Sequence, residues 1–389
     1  MTPTPTRLVP LLLAAACASP GSPAASSTSP GPTVRVALFN VEELTAEKLL
    51  GEAHPQLQAA AEVIRRVRPD VLVLQEVDAG PDDDPAVTAR RFAERYLAAG
   101  EEPLLYAHVF AAPSNTGRLS GFDLDDDGTV AGEAERGTRA WGNDSFGYGE
   151  YPGQYAMAVL SRLPLREDAV RTFRTLLWRD VPGNHLPEGF YAPEELAVLP
   201  LSSKSHWDVP VEVGGRLLHL LVSHPTPPVF DGPEDRNGRR NFDEVAFWAR
   251  YLDGGAGLTD DEGRAGGLAP GEPFVVAGDL NADPLRPSSS FDGTSAAAAL
   301  LAHPRLRDPA EILVSEGARA HGRGGAPRPE QATAEFAGGM RVDYLLPARE
   351  LEVVGGGVFW PSPEEDAEGA RLAAAASDHH LLWLDLRLP

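Results

Sequence analysis

Hydrophobic and polar positions in this chain fall into two rhythms. Short, nearly continuous apolar runs, rich in β-branched residues, stand at 34–39 ("VRVALF"), 71–76 ("VLVLQE") and 273–278 ("PFVVAG"). Their length and composition predict buried strands. Runs of the same kind at 104–110, 155–161, 207–213, 216–223, 341–347, 351–359 and 380–388 extend the series. The second rhythm has helical spacing. Over 55–67, Leu57, Ala60, Ala61, Ile64 and Val67 share one face, and Arg68-Pro69 stops the pattern. A second helix fits 86–98, around Phe92 and Tyr96. A third begins near Asn241, with Glu244 three residues on as a capping pair and Val245, Trp248 and Leu252 on one face. No repeat of fixed period is visible. Polar inserts at 111–153, 179–200, 224–240 and 253–271 separate these elements, and loops of that length are usually functional or disordered.

The first 32 residues do not belong to this alternation. Arg7 precedes the apolar run "LVPLLLAAACASPGSP", which is too short to span a bilayer and ends in small residues, as export signals do. Residues 1–16 are therefore expected to be a signal peptide. Cys17, directly after three alanines, resembles the lipidated first residue of a mature bacterial lipoprotein, although Leu13 stands one place too early for that motif. The alternative is an ordinary signal with an incidental cysteine. Residues 17–32 form a Pro/Ser/Gly/Ala spacer without core-forming side chains, and residues 33–389 form the folded domain. Cys17 is the single cysteine, so no intrachain disulfide can form. With 34 Lys+Arg against 57 Asp+Glu, the formal charge is −23. Such a chain repels polyanions unless bound cations reverse the field locally.

The chemistry-bearing residues stand at the ends of the predicted strands. In "VVAGDLNADP" a buried strand delivers Asp279 and Asn281, two residues apart and so on one side of the backbone, into a turn. Taken alone, this is equally an Asx-type turn. The first strand, however, ends in Asn40, the second in Gln75-Glu76, and the run at 216–223 in Ser223-His224. "RVDY" places Asp343 beside a strand, and "SDHH" places Asp378 and His379 just before the last one. Six such placements are hard to attribute to capping.

This ordered series resembles the endonuclease/exonuclease/phosphatase superfamily, which includes deoxyribonuclease I, exonuclease III-like enzymes, bacterial sphingomyelinases and inositol-polyphosphate phosphatases. The resemblance covers roughly residues 33–389. It implies an α/β fold, a four-layer sandwich of two mixed β-sheets packed face to face with helices outside. It also implies metal-assisted hydrolysis of a phosphate ester with Mg2+ or Mn2+ as cofactor. Asn40, Glu76 and Asp378 supply the oxygen ligands a hard cation takes, and by resemblance Glu76 is the principal one. Asp279 would orient or deprotonate the attacking water, and Asn281 would donate to a phosphoryl oxygen. His379 would transfer a proton or contact phosphate, with Asp343 fixing its tautomer. His224 matches the second histidine of the deoxyribonuclease and sphingomyelinase branches. The expected substrate is a phosphate ester, either nucleic acid or a small or lipid phosphoester: the leading expectation is a phosphodiesterase or nuclease, and the alternative is a phosphomonoesterase or phospholipase C-like enzyme acting on inositol phosphates or lipid head groups. The chain is expected to act outside the cytoplasm as a monomer, touching the membrane only through a lipid anchor on Cys17. An inactive surface binding module is the least favoured reading, since every expected position is filled.

Other stretches carry weaker signals. Arg236, Arg239 and Arg240 follow His224 in a polar segment that reads either as a solvated loop or as a cationic wall for further phosphates. Lys204, His206 and Asp208 open a neighbouring strand and suit a supporting role. Tyr155 is a candidate substrate contact by resemblance. Finally, "DLDDDG" places Asp123, Asp125 and Asp127 in alternation before Gly128, the opening of a calcium loop. The twelfth position is Ala134 rather than glutamate, so a structural Ca2+ and a solvated acidic turn are both open there.

Overall fold

The computed structural model describes residues 1–4, 31–80, 84–100, 102–291, 293–322 and 327–389. The signal run, Cys17 and nearly all of the spacer lie outside the described residues, and Gly31–Pro389 is one compact unit. Eleven strands build it: β1 (Thr33–Leu44), β2 (Val71–Val77), β3 (His108–Phe110), β4 (Ala156–Ser161), β5 (Arg171–Thr172), β6 (His206–Val213), β7 (Arg216–Ser223), β8 (Phe274–Asp279), β9 (Asp343–Pro347), β10 (Glu352–Val358) and β11 (Leu382–Arg387). They form a six-stranded sheet in the order β10-β11-β1-β2-β4-β3 and a five-stranded sheet in the order β5-β6-β7-β8-β9. Both sheets are mixed. The parallel pairs are β1 with β2 and β7 with β8, and the other neighbours run antiparallel.

Strand alternation distributes the core. In β1, Val34, Val36 and Leu38 enter the cluster between the sheets, while Ala37, Phe39 and Val41 enter a second cluster on the outer face. In β2, Val71 and Val73 face inward and Leu72 and Leu74 outward. Successive side chains of a strand point to opposite faces, so strands apolar at every position are buried on both. The outer face of the first sheet is covered by helix Pro55–Val67, which begins and ends where its pattern predicts, and by helices Pro85–Phe92 and Ala367–Ala376. Helix Arg236–Leu252 packs Val245, Phe247, Trp248 and Tyr251 into the core beside the second sheet. The result is the expected four-layer α/β sandwich.

Some local expectations shift. The helix expected over 86–98 is α-helical only to Phe92 and closes with a wider turn over Ala93–Leu97. The run at 104–110 pairs with β4 only at His108–Phe110. The helix expected from Asn241 begins five residues earlier, at Arg236, which removes five residues from the polar insert. No helix among the described residues is long and apolar enough to cross a membrane.

Candidate active site

Parallel pairing places the site. Asn40 of β1 stands opposite Gln75 of β2, and Val222 of β7 opposite Ala277 of β8, so all four strands deliver their carboxyl ends to the same rim. Antiparallel β9 starts there, with Asp343 opposite Asp279. Gln75 ties the two sheets together: its side-chain amide donates to Ser223 O at 2.7 Å and accepts from the Asp279 backbone N–H at 2.6 Å. The strands approach so closely that a Cβ on Gly278 would lie 2.1 Å from Ser223 O, which explains the glycine. Ser377 docks the last segment by donating to Asn40 O at 2.8 Å while accepting from His379 N–H at 3.0 Å.

At this rim Asn40 donates to Glu76 Oε1 at 3.1 Å and to Asp279 Oδ2 at 3.2 Å. His379 Nδ1 is 2.9 Å from Asp343 Oδ2, and its Nε2 is 3.7 Å from Asp279 Oδ2. His224 Nε2 approaches the same oxygen at 3.5 Å. Asp378 stands at the open side, with Oδ1 4.0 Å from His379 Nε2. Asn281 donates its backbone N–H to Asp279 Oδ1 and its side-chain amide to Pro225 O. Glu42, Glu43, Glu76, Tyr155 and Asn281 all have positive φ. Such strained backbone in non-glycine residues gathers at functional sites.

Burial pushes the Asp279 carboxyl up to about 7, although the neighbouring His379 works against that rise. For His379 burial disfavours the charged ring, but Asp343 and Asp279 override it and raise its pKa to about 10. His224 is driven well below its ordinary value by burial and by the positive charges of Lys204 and His379. Glu76 is raised by burial, partly offset by its hydrogen bond from Asn40. Two histidines of opposite tendency therefore flank one carboxylate, His379 charged and His224 neutral.

The donor set fits a hard divalent cation. Glu76, Asp378 and the Asn40 carbonyl offer oxygen, and Glu42 joins them with its carboxylate beside the Asp378 N–H at 3.2 Å. Burial raises both Glu42 and Glu76, and the neighbouring carboxylates add a smaller push in the same direction, which a cation would relieve. Ligand atoms of Asp279, Asp343 and His379 also lie within 4.8 Å of one another. The Asp343–His379 hydrogen bond already occupies that pair, so it reads as a proton-holding dyad.

Other expectations divide. Tyr155 reaches the rim indirectly, by donating to Glu43, whose own N–H donates to Glu76. Arg240 corrects the cationic wall: it is 8% exposed and donates to the carbonyls of Leu201, Pro200 and Phe146. Arg236 pairs with Glu234, and Arg239 donates to the carbonyls of Glu234 and His185. All three arginines lie on a helix, not in a loop. His380 stacks on Trp360 at 3.7 Å, in the core. The acidic turn brings Asp123, Asp125 and Asp127 together, and it closes on its own hydrogen bonds: Asp123 accepts from the N–H groups of Asp127 and Gly128, and Asp127 from Thr129. Asp125 accepts from Asn143. Sequence reading missed Glu42 and Glu43 at the rim, for which the acidic pair directly after Asn40 was the available signal. It also understated Lys204, which is 6% exposed and sits in the field of Glu244, Glu76 and Asp279.

Known proteins share similarity with this chain. The crystal structure of an endonuclease/exonuclease/phosphatase from Beutenbergia cavernae is 21% identical, aligns over 92% of this chain and 72% of its own, and has a TM-score of 0.53. The human Nocturnin catalytic domain with bound sulfate is 16% identical over 91% of this chain and 93% of its own, with a TM-score of 0.47. Sphingomyelinase C from Streptomyces griseocarneus is 15% identical over 91% and 99%, with a TM-score of 0.45. No curated protein matches the chain. The family model described as Endonuclease/Exonuclease/phosphatase matches residues 37–379, which run from β1 to the histidine of the dyad, and the chain belongs to that family of phosphate-ester hydrolases.

Proposed function

We propose that this chain is an exported, divalent-metal-dependent phosphodiesterase. One observation carries the reading: Asn40, Glu76, Asp279, Asp343 and His379, from five segments and both sheets, converge through contacts of 2.9–3.7 Å. When bound, a magnesium or manganese ion would neutralise charge building on the phosphoryl oxygens, and Glu76, Asp378 and Asn40 are the residues that would hold it. Asp279, lifted toward neutrality, accepts the proton of the attacking water. His379 is held as an imidazolium by Asp343, and its Nε2–H serves the phosphoryl or leaving oxygen. Asn281 keeps one amide N–H beyond the one given to Pro225, and that donor suits a second phosphoryl oxygen. Neutral His224 lines the other side of Asp279. The N-terminal apolar run supports export, and Cys17 supports a lipid anchor. Calcium at residues 123–127 is not needed for this chemistry.

Among phosphodiesters, small or lipid head-group esters are favoured over nucleic acid. The net charge is −23 and Arg240 is buried, whereas affinity for a polyanion comes mainly from exposed Lys and Arg. The test is hydrolysis of bis-p-nitrophenyl phosphate, DNA, RNA, inositol phosphates and sphingomyelin by the purified protein with magnesium. We expect EDTA to abolish turnover and magnesium or manganese to restore it. Turnover that survives both EDTA and Glu76→Ala would overturn the metal mechanism.

A further inference from the structure

Lys204 lies in the segment before β6, and its backbone is held on several sides. Its carbonyl accepts from Asn115 N–H, and the neighbouring Ser203 gives both its N–H and its hydroxyl to Glu244 Oε1. The other Glu244 oxygen accepts from Thr226 N–H, two residues after His224. One fully buried carboxylate therefore clamps the two segments that carry Lys204 and His224, and three donors already occupy it. Among the described residues, the Lys204 ammonium makes no hydrogen bond and no ion pair, although the side chain is only 6% exposed. On the second clamped segment two fully buried polar atoms lack partners, His224 Nδ1 and Thr226 Oγ1.

A buried cation without a partner is costly and is normally matched by an anion. Glu244 is saturated, and Glu76 and Asp279 influence Lys204 only through space. A metal ion at Glu76 would repel the ammonium, so the missing partner is an anion. We propose that Lys204 is a catalytic residue of the phosphodiesterase reaction and binds a non-bridging phosphoryl oxygen beside Glu76 and Asp279. This rests on the phosphoesterase reading above. A compact ammonium with three donors suits a phosphoryl oxygen that gains charge as the bond to the leaving group breaks, and desolvation strengthens that contact. No covalent step is involved.

The experiment uses the magnesium-loaded protein, with bis-p-nitrophenyl phosphate as substrate and orthophosphate as product inhibitor. For Lys204→Met we expect kcat to fall about 100- to 1,000-fold and the orthophosphate inhibition constant to weaken about tenfold or more. Magnesium affinity by calorimetry should be unchanged or tighter, because a competing positive charge is gone. Lys204→Arg should keep part of the orthophosphate affinity. A purely structural lysine would lower the unfolding midpoint and weaken magnesium and orthophosphate together. That pattern, or near wild-type kcat in Lys204→Met, overturns the proposal while leaving the hydrolase reading intact. If the wild type hydrolyses no phosphodiester, the proposal falls with the reading on which it rests.

Discussion

Replacing Gln75 with leucine should both destabilise the protein and disable it, because this one amide joins the two sheets behind the site. The side chain is fully buried; it donates to Ser223 O at 2.7 Å and accepts from Asp279 N–H at 2.6 Å. Leucine fills nearly the same volume but strands both backbone groups away from water. Each orphaned group costs about 1–3 kcal/mol, so the sum is about 2–6 kcal/mol, and the added apolar burial returns roughly 1 kcal/mol. Against the ~5–15 kcal/mol that holds a typical protein folded, this is a large share. The second effect is positional. Asp279 loses the backbone anchor that sets its carboxylate beside Asn40, His224 and His379, and a misplacement near 1 Å costs about 100-fold in turnover. Urea unfolding followed by tryptophan fluorescence measures the first effect. Initial rates on bis-p-nitrophenyl phosphate measure the second, expected in kcat with little change in KM. A loss of stability below about 1 kcal/mol together with an unchanged kcat would refute the argument, since the amide would then be neither a tie nor an anchor.

Further outcomes are expected. His379→Ala should lower kcat about 100-fold or more, the usual scale for an acid–base group, in rate assays at saturating magnesium. Because His379 is raised in the fold from 6.5 to about 10, its stabilising contribution is complete below pH 6.5 and is lost as pH rises through about 10. The stability advantage of the wild type over His379→Gln, measured in EDTA, should shrink across that window; an advantage that grows with pH would refute the assignment. Arg240→Ala should cost several kcal/mol in urea unfolding, by stripping three carbonyls of their donor, and should leave the salt dependence of DNA binding unaltered. Asp123→Ala should lower stability by about 1 kcal/mol even in EDTA, since this carboxylate caps its own turn. A loss seen only with calcium present would instead make the turn an ion site.

The sequence by itself determined the strands apart from the two-residue β5 and the extent of β3, together with the helix over 55–67 and the identity of the reactive groups. Short β-branched runs that are apolar at nearly every position read as strands buried on both faces, and helical spacing with a Pro stop leaves little freedom. Asn40, Glu76, His224, Asp279, Asp343 and His379 were legible because each stands where an apolar strand meets polar residues. What the sequence could not decide was which strand ends meet. That depends on parallel pairing of β1 with β2 and β7 with β8, a contact between segments about 150 residues apart through Gln75. Its type at a strand end gives no sign that it crosses from one sheet to the other. The arginines were misread for a related reason: a polar run gives no warning that Arg240 turns inward, because three carbonyls from two distant segments decide it. Lys204 was undervalued in the same way. A lysine before a strand is ordinarily solvated, and only the tertiary structure desolvates this one and sets it, without a partner, against the carboxylates of the site.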